Sequence, residues 1–148
     1  MRVYQSKYNQ LPGTSYQEII NAAHYHHQKL QKRNPRRRVY VRSRYFNRDK
    51  VFLTLFWPHL LQKRRGDQMR RAKLYLCALD LLRNYNYLNG AVIENGHPEA
   101  TLLRFMGRTK DGVLYVVQVK VYIRSNRKDL ISVYPVENKD KKIRPPAG

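Results

Sequence analysis

The stretch that decides the fold is residues 102–136, LLRFMGRTKDGVLYVVQVKVYIRSNRKDLISVYPV. Apolar and polar residues alternate within three runs, 102–106, 113–124 and 130–136, and a period of two is typical of β-strands. The first two runs are separated by GRTKDG, which ends in the turn sequence TKDG, and the last two by SNRKD. Connections this short join antiparallel neighbours, so the last third of the chain is predicted to be a three-stranded meander.

The first hairpin of this meander has one register that suits its side chains. With Gly112 in the left-handed position of a three-residue loop, Thr109 pairs with Val113. A loop one residue shorter or longer would place Arg104 among the valines, where an unpaired guanidinium is costly to desolvate. Ile131 is expected to continue the apolar face with Val133. The opposite, polar face is then predicted to carry Arg104, Gln118, Lys120, Ser132 and Tyr134.

Helical periodicity dominates the first half of the chain. Thr14 and Ser15 can cap a helix whose apolar stripe extends from residue 16 to residue 30, and the helix is expected to end before Asn34-Pro35. A short strand is predicted within 39–45. A second helix, capped by Asn47 or Asp49, is predicted to carry the stripe 51–60. A third is predicted from Asp67 to about residue 86.

These elements together predict an α+β fold, with N-terminal helices packed on one face of a small antiparallel sheet that ends in the meander. The length of 148 residues suits a single domain. We expect one basic domain over residues 1–137, made of an N-terminal helical extension (1–37) and a core (38–137). Residues 138–148, rich in Lys and Pro, are expected to form a flexible tail.

The charge balance is the most unusual property of the composition. Thirty Lys and Arg face ten Asp and Glu, which gives a formal net charge of +20. Such an excess attracts polyanions: nucleic acid, an anionic membrane or an acidic protein. The chain has no apolar run of membrane-spanning length and no apolar signal segment at its start. The single cysteine, Cys77, excludes an internal disulfide and suggests a reducing compartment, so a cytoplasmic location is expected.

Two basic runs favour nucleic acid over the other polyanions. The first contains Arg36, Arg37, Arg38, Arg42 and Arg44, interleaved with Tyr40 and Tyr45. Cations bind phosphates and aromatic rings stack on bases. The second run contains Lys63, Arg64, Arg65, Arg70 and Arg71. Because the runs belong to different elements, a membrane-binding amphipathic helix is disfavoured. RNA is expected as the partner in preference to DNA, with an acidic protein such as an antitoxin as the alternative.

Several kinds of chemistry lack their residues. There is no glycine-rich phosphate loop, no Gly-x-Ser-x-Gly elbow and no Cys–His arrangement. The ten acids are scattered singly, so a two-metal site is disfavoured. Of His24, His26 and His27, only the first and last share a helix face, and no third ligand follows. The sequence therefore predicts neither a metal nor a cofactor.

Metal-free cleavage of RNA needs fewer groups, because the substrate supplies its own 2′-hydroxyl nucleophile. The protein has to provide a general base, a general acid and cations that stabilise charge at phosphorus. Arg104 and Lys120 can hold the phosphate, and His59, His97 or Tyr134 can move protons. The alternative is that the polar residues form a solvated sheet face and that His59 packs in the core.

Three segments of the meander carry a family resemblance. The pattern Phe-x-Gly-x-Thr-x-Asp-Gly, followed by Val-Gln-Val-Lys and Ile-Ser-Val, resembles the C-terminal sheet of the barnase–EndoU–colicin–RelE-like nuclease superfamily. The similarity extends over about residues 38–136 and is greatest to branches associated with phages and mobile elements. It implies helices on one face of an antiparallel sheet and metal-independent RNA cleavage on the other.

The resemblance implies catalytic roles for Arg104, Lys120, Ser132 and Tyr134, with His59 as a further candidate. The chain departs from the barnase-like pattern because its sheet carries no Glu/His acid–base pair. The resulting hypothesis is a metal-independent endoribonuclease, either a toxin or a mobile-element effector. The alternatives are a non-catalytic protein that binds RNA or DNA and an adaptor for an acidic protein.

Overall fold

The computed structural model describes residues 2–34, 36 and 38–137. Within this part of the chain, four helices and seven strands form an α+β fold, as the sequence predicts. In chain order they are β1 (Val3–Gln5), α1 (Tyr16–Arg33), β2 (Tyr40–Ser43), β3 (Asp49–Phe52), α2 (Phe56–Leu61), α3 (Arg65–Ala72), α4 (Tyr75–Asn84), β4 (Val92–Glu94), β5 (Ala100–Arg108), β6 (Leu114–Tyr122) and β7 (Lys128–Pro135). None of these helices is long and apolar enough to cross a membrane.

The sheet is mixed, whereas the sequence predicted an antiparallel one. Its order is β1-β5-β6-β7-β3-β2, and β4 also pairs with β5. The meander β5–β6–β7 is antiparallel, as predicted. However, β1 joins β5 and β3 joins β7 in parallel. Short strands from the first half of the chain therefore extend the meander on both sides.

The predicted register of the β5–β6 hairpin is confirmed. Arg104 lies opposite Gln118, the amide of Thr109 donates to the carbonyl of Val113 at 2.9 Å, and Gly112 has a φ of +96°. Only a glycine adopts this left-handed geometry at little cost. The turn therefore determines which face of the sheet each side chain of β5 and β6 occupies.

The β6–β7 pairing contains an irregularity that the sequence pattern did not reveal. Gln118 pairs with Ser132, but its neighbour Val119 pairs with Leu130, so Ile131 is the extra residue of a bulge. Leu130, rather than Ile131, is therefore fully buried with Val133 on the apolar face. The prediction for Ser132 is confirmed, because it lies in the same row as Gln118.

The prediction of a second helix is wrong for the first half of that segment. Residues 49–52 form β3, which pairs antiparallel with β2. Asn47 and Arg48 have φ values of 55° and 70°, and the amide of Arg48 donates to the carbonyl of Ser43 at 2.7 Å. This left-handed pair turns the chain back into a hairpin, so helix formation is delayed until α2.

The predicted third helix is divided. Helix α3 ends at Ala72 and α4 begins at Tyr75. At the break, the carbonyl of Lys73 accepts a hydrogen bond from the amide of Leu11 at 2.9 Å. A residue distant in sequence thus forms a hydrogen bond with the backbone at the junction of the two helices. Helical periodicity alone does not reveal this break.

The N-terminal segment is part of the same core. Ile19 and Ala23 of α1 are buried among residues of the other helices and the sheet. After β1, the hydroxyl of Ser6 and the amide of Lys7 both donate to the buried carboxylate of Asp80 in α4, at 3.0 and 2.9 Å. Residues predicted as an extension therefore supply a strand and a helix. The predicted tail, 138–148, lies outside the described residues.

Two imidazoles of α1 pack against the aromatic ring of α2. His24 stacks on Trp57 with ring centroids 3.9 Å apart. The indole Nε1 of Trp57 donates to Nδ1 of His27 at 3.1 Å, and the hydroxyl of Tyr75 lies 2.8 Å from the same nitrogen. Burial, with a smaller contribution from His24, lowers the pKa of His27 to about 4. These histidines therefore dock α1 and are kept neutral.

Stability is expected to fall as the pH drops from about 6.5 towards 4. The unfolded chain protonates His27 near its ordinary pKa of 6.5, whereas the folded protein resists protonation until about 4. Urea unfolding at several pH values, for the wild type and His27→Gln, tests this. The variant should be less stable at neutral pH but should lose less stability on acidification. His24 and His26, whose pKa values burial also lowers, will retain part of the effect. Identical pH dependence in both proteins would contradict the prediction.

Gly107 is expected to tolerate no side chain. A Cβ there would lie 2.5 Å from the ring of the buried Tyr115 and 2.9 Å from Leu81. Gly107→Ala should lower the free energy of unfolding by about 1–3 kcal/mol through overpacking. Gly66→Ala is the control, since a Cβ in α3 meets nothing within 4 Å and should be neutral or stabilising. Equal stability of the two variants in chemical denaturation would contradict this packing.

Candidate nucleic-acid interface

The sheet register places the first basic run and the polar side of the meander on the same face. Cross-strand partners project to the same side of a sheet. One continuous row consists of Tyr40, Phe52, Asp129, Lys120 and Leu102. The adjoining row Val41, Val51, Lys128 and Val121 projects the other way, and both Val41 and Val51 are buried in the core. We call the side that carries Tyr40, Phe52 and Lys120 the polar face.

A second row of the polar face is formed by Arg104, Gln118 and Ser132. Tyr134 follows in the next row, opposite Val116. The structure therefore brings four predicted catalytic residues, Arg104, Lys120, Ser132 and Tyr134, to one face, as the sequence predicts. Their side chains nevertheless have different neighbours.

At the β2–β3 end, two aromatic rings are surrounded by cations. Tyr40 and Phe52 lie directly opposite each other, with ring centroids 6.1 Å apart. The ammonium of Lys50 lies 4.7 Å and the guanidinium of Arg42 5.6 Å from the ring of Tyr40. We call this group the ribbon cluster; it comprises Arg38, Tyr40, Arg42, Lys50, Phe52 and Arg127.

The second ring receives its cations from two other segments. The guanidinium of Arg38 lies 5.7 Å from the ring of Phe52, and that of Arg127 lies 4.9 Å from it. Arg127 is held by the buried carboxylate of Asp129 through contacts of 3.1–3.2 Å. Asp129 thus positions one cation beside the ring while it remains inaccessible itself.

A groove of about 450 Å³ borders the ribbon cluster. It is lined by Asn34, Arg36, Arg38, Tyr40, Lys50 and Phe52. The predicted binding residue Arg36 therefore lies at this site. Arg44 is exposed at the hairpin, and Arg42 donates to the carbonyl of Arg48 at 3.0 Å. Arg37 lies outside the described residues.

Arg104 and Lys120 are both engaged at the centre of the polar face. A guanidinium nitrogen of Arg104 lies 2.7 Å from the Glu94 carboxylate in β4. The ammonium of Lys120 lies 4.9 Å from the ring of Tyr122. The guanidinium of Arg104 is thus partly neutralised, whereas Lys120 contributes its positive charge beside an aromatic ring.

Arg71 joins the remaining candidates where α3 packs beside β7. Its guanidinium donates to the hydroxyl of Ser132 at 3.2 Å and to the carboxylate of Asp67 at 2.9 Å. It also lies 5.3 Å from the ring of Tyr134. His59, Arg71 and Ser132 line one small pocket. We call this group, His59, Arg71, Ser132 and Tyr134, the Arg71 corner.

The second basic run has a mixed environment. Lys63 and Arg64 are exposed. Arg65 covers the ring of Tyr16 at 4.0 Å, and Arg70 forms ion pairs with the carboxylates of Asp67 and Glu137. The run therefore presents fewer unneutralised charges to a polyanion than its composition suggests.

Sequence reasoning missed three members of the ribbon cluster. Lys50 and Phe52 were assigned to a helix, and Arg127 to a connecting loop. Asn47, a residue that tolerates positive φ, was a possible hairpin signal. Tyr45, predicted as a stacking ring, instead packs on Phe105 and Tyr85 with centroid separations of 5.0 and 5.9 Å.

The described residues contain no group of three or more His, Cys, Asp or Glu arranged to hold a metal ion. Cys77 is buried, and its sulfur lies 3.3 Å from the carbonyl of Tyr8. Burial raises the pKa of this thiol to about 11, which disfavours a reactive thiolate.

Comparison of the chain with protein-family models, curated proteins and solved structures finds no match. Function is therefore inferred from the chain's own residues and their geometry.

Proposed function

We propose that this protein binds nucleic acid, RNA in preference to DNA, on the polar face of its sheet. The observation that carries the proposal is the cross-strand row from Tyr40 through Phe52 to Lys120. This row joins a basic strand rich in aromatic contacts to the polar side of the meander. Cations and rings from distant segments thereby form one surface.

The electrostatics of this surface suit a phosphate backbone. Arg38, Arg42 and Lys50 are exposed, and the acid in the row of Tyr40 and Phe52, Asp129, is buried beneath Arg127. Asp49 projects to the other side, where it pairs with the ammonium of Lys128 at 2.8 Å. Arg38, Arg42 and Lys50 therefore face solvent with little local neutralisation, which favours counterion release on binding nucleic acid.

The combination of a sheet face with aromatic rings favours unpaired RNA over a nucleic-acid duplex. Proteins that recognise RNA sequence commonly stack unpaired bases on such rings, because the deep groove of an A-form duplex is inaccessible to side chains. An acidic protein partner would meet the same cations but would gain less from the rings. Salt-dependent binding to RNA is thus the first property to measure.

Charge removal from the ribbon cluster is expected to weaken binding and reduce its salt dependence. In the triple variant Arg38→Gln, Arg42→Gln, Lys50→Gln, affinity should fall about tenfold or more at low salt. The slope of log K against log salt should decrease by about 2 if three phosphate contacts to a single strand are lost.

The matched control is Lys7→Gln, Lys29→Gln, Lys110→Gln, which removes the same number of exposed charges away from the polar face. Fluorescence anisotropy with labelled RNA at several salt concentrations measures both variants. An equal loss in the two triple variants would mean that net charge alone, rather than this surface, governs binding.

The Arg71 corner supports a second candidate function, metal-independent RNA cleavage. The guanidinium of Arg71 contacts the hydroxyl of Ser132 and the ring of Tyr134, and His59 lines the same small pocket as Arg71 and Ser132. In such a reaction the 2′-hydroxyl loses its proton to a base and attacks the adjacent phosphorus. The 5′-oxygen then leaves with a proton from an acid, and the product is a 2′,3′-cyclic phosphate.

Roles can be assigned to the corner on this hypothesis. The guanidinium of Arg71 stabilises charge on the phosphorane, and His59 and Tyr134 transfer protons. Ser132 orients the guanidinium by accepting its hydrogen bond. Arg104 and Lys120 lie on the same face of the sheet as Ser132 and bind flanking phosphates.

Cleavage of labelled RNA in EDTA is expected for the wild type. His59→Gln and Tyr134→Phe, which preserve size and ring packing, should each reduce the rate by about a hundredfold or more, because general acid–base catalysis contributes on this scale. RNA with a 2′-deoxynucleotide at the cleaved position should be resistant. Binding without cleavage by freshly purified wild type, or undiminished cleavage by both variants, would rule out this corner as the active site.

A further inference from the structure

We infer that the ribbon cluster stacks two unpaired bases, one on Tyr40 and one on Phe52, so that the ligand is a single strand. This inference rests on the proposed nucleic-acid binding and specifies the form of the ligand. It depends on the geometry of the rings of Tyr40 and Phe52, which the sequence analysis did not place next to each other.

The two rings are too far apart and too strongly inclined for a continuous base stack. Their centroids are 6.1 Å apart and their planes are inclined by 69°. Consecutive bases within a stacked strand are about 3.4 Å apart and nearly parallel. Two neighbouring bases that each lie on one ring must therefore separate and tilt. An unpaired strand can do this, whereas a duplex would first have to break its pairs.

The cations around the rings complete a stacking site. Lys50 and Arg42 approach Tyr40, while Arg38 and Arg127 approach Phe52. A base that occupies a ring face displaces a cation, which can move to the phosphate on either side of that base. The ring then binds the base and the cation binds the phosphate of the same nucleotide. The flexible Lys and Arg side chains allow the cation to move from the ring to the phosphate.

The adjoining groove is suited to a base. Its volume of about 450 Å³ lies within the usual range of small-ligand pockets, about 300–1,000 Å³. Asn34, at the end of α1, lines it and donates its side-chain amide to the carbonyl of Arg38 at 3.3 Å. An amide at this place can also bond to base edges.

The row beyond the rings indicates where the strand continues. Across the sheet from Phe52 the row proceeds to Asp129, covered by Arg127, and then to Lys120. Cations therefore follow the rings towards the centre of the polar face. A strand that leaves Phe52 along this row remains in contact with positive charge.

The experiment compares three ligands of equal length: oligouridylate, the same RNA in a duplex, and an abasic oligonucleotide that has the phosphates without the bases. Wild type should bind the oligouridylate most tightly, with the abasic strand at least about fivefold weaker. Tyr40→Leu and Phe52→Leu should each weaken binding of the oligouridylate about fivefold to a hundredfold. Neither should change the salt slope, because no phosphate contact is lost.

Tyr25→Leu is the matched control. Tyr25 is an exposed ring on α1 with the ammonium of Lys29 at 5.3 Å, so it reproduces the ring–cation contact away from the sheet. The affinity of the Tyr25→Leu variant for the oligouridylate should equal that of the wild type. Thermal melts followed by circular dichroism establish that the β2 and β3 variants are folded, and the double variant Tyr40→Phe, Phe52→Tyr should retain binding.

The outcomes separate this inference from the proposal on which it rests. If wild type binds the abasic strand or the duplex as tightly as the oligouridylate, stacking is overturned while nucleic-acid binding stands. If the leucine variants bind like the wild type, the rings are not the platform. If no nucleic acid binds at low salt, the proposed function itself fails.

Discussion

The structure depends on the left-handed turn at Gly112. Its geometry sets Thr109 opposite Val113, and this register places Phe105 and Val117 in the core while Arg104 and Gln118 project to the polar face. A slip of one residue would exchange the faces. Strand β6 pairs in turn with β7, and β7 pairs with β3. The position of the ribbon cluster on β2 and β3 therefore depends on this turn.

The meander could be predicted from sequence because its determinants are local. Alternation and a glycine with the required φ suffice for β5 and β6. The parts that were missed depend on distant segments. Val51 and Phe52 are compatible with a helix stripe and with a strand, and only pairing beside Lys128 and Asp129 of β7 decides between them. The bulge at Ile131 likewise arises from the pairing between strands. The sequence alternates through residues 131–134, yet Leu130 rather than Ile131 shares the buried face of Val133.

The same distinction separates the predicted and unpredicted parts of the candidate site. Arg104, Lys120, Ser132 and Tyr134 share a face, as strand periodicity indicates. Contacts between elements are not encoded by periodicity, so neither the bond of Arg71 to Ser132 nor the cation of Arg127 beside Phe52 was foreseen. A charge run in the sequence consequently says little about which of its members remain available to a ligand.

Whether a cation can bind a nucleic acid depends on the interaction that it already makes within the protein. A contact between a cation and an exposed ring contributes about 0.5–1 kcal/mol, whereas a base stacked on a ring contributes about 1–3 kcal/mol. Arg42 and Lys50, which approach the ring of Tyr40, can therefore be displaced by a base and used again at a phosphate. Arg70 has carboxylate partners at 2.9 and 3.1 Å, which a nucleic acid would have to replace with little gain. The net charge of +20 thus favours binding mainly where cations lie on rings rather than on acids, and on the polar face most of these contacts belong to the ribbon cluster.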